Sequence, residues 1–141
     1  MNDIIKYFSL QEMTATSVRV KNYPTSWQQI DNLIKLAHTL DLVRGKLGKP
    51  IKVNSAFRSP FVNAAVKGSN TSAHMKGLAA DICAWSQKEC DNRELVAIII
   101  EFCNYDQLII YHERVGVPSS KIRFIHLGLS KDHPRKQIIH K

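Results

Sequence analysis

At 141 residues, with 44% apolar and 23% charged side chains, the chain is sized for a single domain, residues 1–141, built on one core, and its composition excludes a disordered or low-complexity polymer. No stretch approaches the eighteen or so apolar residues of a membrane span, so no membrane insertion is expected. The net charge of +8 favours an anionic partner, but without zinc-finger spacing, a helix-turn-helix signature or a basic strip interleaved with aromatics no nucleic-acid partner is expected; an anionic cell wall suits the charge equally well.

The first segment, Met1 to Phe8, lacks the basic region, apolar run and small-residue cleavage site of a secretory signal. Synthesis in the cytoplasm without a signal peptide is expected, with release by some other route if the protein works outside. Cys83, Cys90 and Cys103 are odd in number and lack C-x-x-C spacing, which argues against a disulfide framework.

In chain order, Phe8, Leu10 and Met13 offer apolar anchors in a weakly periodic start. Ile30, Leu33, Ile34, Ala37 and Leu40 follow helical spacing between Ser26 and Leu47, and Gly48 and Pro50 mark its end. Ile51, Val53 and Ser55 alternate with polar residues as a strand does, and Pro60 opens a short helix that closes by Gly68. The polar loop 68–72 leads to a strand in which Leu78, Ala80, Ile82 and Ala84 share one face and Ala79, Asp81 and Cys83 the other. Ser86 and Glu89 have capping-box spacing for a helix through Leu95, Ile98, Ile99 and Phe102. Residues 106–111, 122–129 and 137–139 read as further strands, giving an α+β class with an antiparallel sheet.

His74 and Asp81, separated by a glycine and small apolar residues, are spaced to supply two ligands to a borderline metal such as zinc. A third lies in Ile122–Gly128, an apolar stretch with His126 at its centre. A lone strand histidine is more often a hydrogen-bonded core residue than a ligand. The pair is more specific, because an aspartate beside Leu78, Ala80 and Ile82 costs several kcal/mol in desolvation unless a metal or an arginine compensates it. Two histidines and one aspartate leave a fourth position for water, as in catalytic rather than structural zinc sites, so the chain reads first as a metallohydrolase. Cys83 shares the face of Asp81 and reads either as a neighbour of the metal or as an inert buried thiol.

Several motifs follow one another along the chain: Ser55-Ala56-Phe57-Arg58-Ser59-Pro60, then Ser72-x-His74-x-x-Gly77-x-Ala79-x-Asp81, Tyr105-Asp106-Gln107-Leu108-Ile109, Phe124-Ile125-His126 and Arg135-Lys136. Their order resembles that seen in the zinc D-Ala-D-Ala carboxypeptidase family. The chain resembles the small, phage-type branch of these peptidoglycan peptidases from about Phe8 to Ile139. The resemblance implies a Hedgehog/DD-peptidase fold, with helices packed on a small antiparallel sheet that carries zinc (Zn2+), and His74, Asp81 and His126 as its ligands. It implies that Arg58 meets a substrate carboxylate or carbonyl, a task suited to the guanidinium fork; a surface salt bridge is the plain alternative. Ser72 matches a serine that orients substrate or shapes the loop, and Gly77 permits a tight turn between the ligands.

One departure stands out. Many relatives place a glutamate, as general base, three residues before the last histidine, where this chain has Arg123. If the strand containing Tyr111 continues, Glu113 shares its face and is the leading candidate for that base, with His112 and His133 behind it. Beside Arg114, Glu113 also reads as an exposed hairpin charge. The expected function is a zinc-dependent peptidoglycan peptidase hydrolysing an amide bond in the stem peptide or cross-link, as a D-Ala-D-Ala carboxypeptidase or an endopeptidase of endolysin type. It would act on the wall after release or from within a phage virion. The rival expectation is a non-catalytic structural or cell-wall-binding phage component that retains the fold.

Overall fold

The computed structural model describes residues 5–141. After a single turn, α1 (Leu10–Met13), the chain builds its longest element, α2 (Trp27–Leu47). Ser26 and Gln29 form a reciprocal cap there: Gln29 N donates to Ser26 Oγ at 3.2 Å and Ser26 N to Gln29 Oε1 at 3.1 Å. Gly48 ends the helix at φ 70°. The buried stripe of α2 runs through Leu33, Leu36, Ala37, Leu40, Val43 and Leu47, whereas Ile34 points outward. Burial of each large member of such a stripe contributes roughly 1.5–3 kcal/mol.

Strand β1 (Ile51–Ser55) and helix α3 (Pro60–Ala65) follow, then a 3-10 turn (Ala73–Lys76), β2 (Ala79–Ala84), α4 (Glu89–Phe102), β3 (Gln107–His112), β4 (Ile122–Gly128) and β5 (Gln137–His140). The expected Ser86–Glu89 capping box does not form. The helix starts later than that spacing requires, with Lys88 as its N-cap: Ser86 Oγ accepts from Lys88 N at 3.2 Å and donates to Asp91 Oδ2 at 2.6 Å, and the Glu89 carboxylate, at the first helical position, accepts from Arg93 Nε and from Ile122 N.

The strands form one five-stranded sheet in the order β1-β2-β4-β3-β5. Three pairings are antiparallel, as expected. The fourth is not: β5 returns along the far edge parallel to β3, because the connection after β4 crosses over β3's end rather than turning back as a hairpin. Ala80, Ile82, Leu108, Ile110, Ile125 and Leu127 face α2 and α4 and form the core with Leu95 and Ile99. Side-chain alternation turns Asp81, Ile109, Tyr111, Phe124 and His126 to the other face.

The connection between β1 and α3 is held from behind by a buried asparagine. Asn22 Nδ2 donates to the carbonyls of Thr14 and Phe57, at 2.8 and 2.9 Å, and its Oδ1 accepts from Ser59 N at 2.6 Å. Phe57, 1% exposed, anchors the same segment in the core. Arg58 is therefore carried on backbone fixed on both sides. No helix among the described residues is long and apolar enough to cross a membrane.

Candidate metal centre

Sheet register assembles the site. Asp81 on β2 pairs directly with His126 on β4, and Asp81 also pairs with Ser55 on β1, while His126 pairs with Ile109 on β3. One transverse row of the sheet thus carries an aspartate and a histidine side by side, with Ser55 beyond the aspartate. The third group arrives from the 3-10 turn. Ser72 Oγ accepts from His74 N at 3.2 Å and caps that turn, and Gly77 ends it at φ 76°. A Cβ on Gly77 would stand 2.7 Å from Gln29 O and 3.0 Å from Leu33 Cγ, so both its backbone conformation and its approach to α2 require glycine. Helix α2 holds the turn in return: Gln29 Nε2 donates to Met75 O and Asn32 Nδ2 to Lys76 O.

One nitrogen or oxygen from each of His74, Asp81 and His126 lies within 4.8 Å of the others. His74 is 3% exposed, and its Nδ1–H donates to Ala56 O at 2.7 Å. That bond fixes the tautomer and leaves Nε2 as a lone pair, 3.3 Å from Asp81 Oδ1. Two acceptors set face to face need a proton or a cation between them. His126 Nδ1 lies 2.9 Å from the same oxygen. A donor set of two imidazoles and one carboxylate, with one imidazole already oriented by a backbone carbonyl, fits a divalent metal of the zinc kind.

The two compensations foreseen for a buried Asp81 coexist, one on each oxygen. Oδ1 faces the imidazoles and Oδ2 accepts from Arg58 Nη2 at 3.3 Å. Burial alone would raise the carboxyl pKa; the imidazoles of His126 and His74 beside it outweigh this and hold the group well below the usual carboxylate range. Arg58 is not a surface salt bridge, since its side chain is 16% exposed and its Nε also donates to Ser55 Oγ at 3.1 Å. Cys83 is buried and contributes nothing to the ligand group.

His74, Asp81 and His126 line a cleft of about 990 Å³ together with Arg58, Ser72, Tyr111 and Asp132. Tyr111 stacks on Phe124 at 4.4 Å between ring centroids. Burial pushes its phenol pKa up, and the Asp81 charge adds to this against the opposing effect of Arg58. Sequence reasoning overlooked Tyr111 as a wall of the site, although strand alternation from Ile109 would have found it. At the rim, Arg135 Nη2 meets Asp106 Oδ2 at 2.9 Å.

Glu113, expected as the base, does not join this group. A register irregularity at Tyr111/His112 and the end of β3 at His112 interrupt the alternation on which that expectation rested, and Glu113 is exposed and off the cleft lining. His112 lies on the opposite, helix-facing side of the sheet, and His133 is exposed and also off the lining. Arg123 is exposed, with its guanidinium 5.7 Å from the Phe124 ring centre.

A family model described as Peptidase M15 matches residues 6–116. That segment holds Arg58, Ser72, His74 and Asp81, while His126 lies beyond it and reaches the site through the pairing of β4 with β2. Over 80 residues the chain is 36% identical to the zinc D-Ala-D-Ala carboxypeptidase of Streptomyces albus G, covering 56% of this chain and 27% of that protein. The chain therefore spans about a quarter of that relative's length. The helices packed on one face of a five-stranded sheet are consistent with a Hedgehog/DD-peptidase-like fold, and on the extent of the family match the chain belongs to the Peptidase M15 family.

Proposed function

We propose that the chain is a zinc-dependent peptidase that hydrolyses an amide bond of peptidoglycan, at a D-Ala-D-Ala end or elsewhere in the stem peptide or cross-link. The observation that carries this reading is the meeting of His74 Nε2, Asp81 Oδ1 and His126 Nδ1 in an open cleft, rather than in a closed structural site. These three groups would hold the ion. When bound, zinc supplies Lewis acidity, polarising a scissile carbonyl and acidifying water near neutral pH.

The chain's own residues do the rest. The bond from His74 Nδ1 to Ala56 O aims the imidazole with Nε2 toward the ion's position, and Arg58 presents a fork to an anionic group of the substrate while Ser55 steadies its Nε. Ser72 shapes the turn that delivers His74. Lys76, Lys131 and Arg135 on the cleft lining, within a chain of net charge +8, favour approach to an anionic wall, more weakly as salt rises. The protein would meet that wall after release from the cell that makes it, or as part of a phage virion.

One observation favours the second reading, a non-catalytic wall-binding or structural component: no glutamate lines the described cleft, with Arg123 and Glu113 both outside it. Incubation of zinc-loaded protein with purified peptidoglycan, followed by mass spectrometry of released fragments, separates the two. A new amine is the expected result, and its position identifies the bond. No release at full zinc occupancy would leave the second reading standing.

A further inference from the structure

Among the described residues, Asn63 Oδ1 is the buried side-chain oxygen or nitrogen that has no hydrogen-bond partner. Asn63 is 3% exposed and tightly held: its Nδ2 donates to Ser69 O at 2.9 Å, its N to Ser59 O at 2.9 Å, and its O accepts from Gly68 N at 2.8 Å. Flipping the amide would set its oxygen against the Ser69 carbonyl, so the orientation is fixed. A buried amide oxygen without a donor is unfavourable and calls for a reason.

The neighbouring glycine supplies one. A Cβ built on Gly68 would stand 2.1 Å from Asn63 Oδ1 and 3.2 Å from Arg58 Nη1, so the orphaned acceptor and the guanidinium border the same small space. Gly68 does not have a positive φ, which means that its missing side chain answers to this space and not to backbone strain. Arg58 meanwhile commits Nε to Ser55 and Nη2 to Asp81, and its Nη1 makes no hydrogen bond among the described residues. Its bond to Asp81 is the longer of the two, and Asp81 is also claimed by two imidazoles.

We propose that Asn63 is a positioning residue for Arg58: its Oδ1 accepts from Nη1 when the fork turns from Asp81 to an anionic group of the substrate, and Gly68 keeps the path between them open. Ser55 and Asn63 then hold two corners of the guanidinium, leaving one edge for the incoming carboxylate. This inference rests on the reading of Arg58 as a substrate-binding residue.

The test uses the zinc-loaded full chain and the pentapeptide L-Ala-D-Glu-L-Lys-D-Ala-D-Ala as probe. Asn63→Leu removes the acceptor; Gly68→Ala keeps Asn63 but displaces its oxygen, and serves if the first variant fails to fold. Each should raise KM about tenfold with kcat changed by less than about twofold and zinc content unchanged, and Asn63→Leu should add nothing in an Arg58→Lys background. Additive effects, or a fall in kcat with KM unchanged, would overturn the proposal. Nitrogen-15 spectra of the arginine guanidinium groups give an arm independent of turnover. With peptide present, a resolved, slowly exchanging Arg58 Nη1 signal is expected in the unsubstituted protein and an averaged one in Gly68→Ala. An averaged signal in both refutes the positioning role. Absence of cleavage by the unsubstituted protein, by contrast, counts against the peptidase reading and leaves this arm to decide.

Discussion

Two pairs of histidines sit on opposite faces of the same sheet, and they differ in a single chemical respect. His74 and His126 converge on Asp81 on the cleft side. His112 and His140 meet each other on the helix side, with His112 Nε2 and His140 Nδ1 2.8 Å apart. In each pair one imidazole is pinned by a backbone carbonyl: His74 Nδ1–H donates to Ala56 O at 2.7 Å and His112 Nδ1–H to Ser120 O at 2.9 Å. What meets the second nitrogen decides the outcome. At His112 it is an N–H from His140, and the pair is complete as it stands. At His74 it is a carboxylate oxygen, an acceptor facing an acceptor, which leaves room for a cation. Two imidazoles close together are thus not enough to hold a metal; the carboxylate and the open cleft beside them make the other pair the candidate.

Removing the carboxylate breaks the contrast most sharply. Asp81→Ala or His126→Ala should abolish stoichiometric zinc, measured by elemental analysis of protein purified without chelator, because two remaining ligands hold the ion inadequately. His140→Ala should leave one zinc per chain. Full occupancy in the His126 variant would refute the ligand assignment.

The second pair should matter to stability instead. His112 is 1% exposed, and its loss leaves Ser120 O and His140 without partners as well as a cavity. His112→Ala should cost about 2–3 kcal/mol in urea unfolding, with zinc content unaffected. A variant that lost zinc and kept its stability would exchange the roles of the two pairs.

The smallest effect concerns pH. Burial foremost, then the neighbouring His112 and Arg93, lower the pKa of His140 from its ordinary 6.5. The unfolded chain therefore binds the proton more readily than the folded one. The contribution of His140 is complete above about pH 6.5 and is lost as pH falls through that value toward the lower folded pKa. The urea midpoint should decline between pH 7.5 and 5.5, and less so in His140→Gln; identical profiles would remove the pair from the pH response.

The candidate ligands of the cleft were legible because their chemistry is local. A glycine-containing spacing between His74 and Asp81, and a histidine inside an apolar strand, are patterns of neighbouring residues, as is the helical stripe of α2. The helix-side pair was not legible, since His112 and His140 meet only through the pairing of β5 with β3, whose parallel sense no local pattern announces. The place of Glu113 off the cleft lining was hidden for a related reason: alternation holds only while a strand runs regularly, and the irregularity at Tyr111/His112 is a tertiary event. Asn22 and Asn63 read as ordinary polar residues, although their bonds to Ser59 and Ser69 place both behind Arg58.

The register of β2 against β4 has a further consequence. Asp81 stands between Ala80 and Ile82, both fully buried against the helices, and faces His126, which stands between the equally buried Ile125 and Leu127. A slip of one residue would turn Asp81 into the core and Ile82 toward water. Any chain that mispairs these strands would thus pay in solvation before it could misplace a ligand, so the apolar neighbours act as a proofreading step for the chemistry beside them.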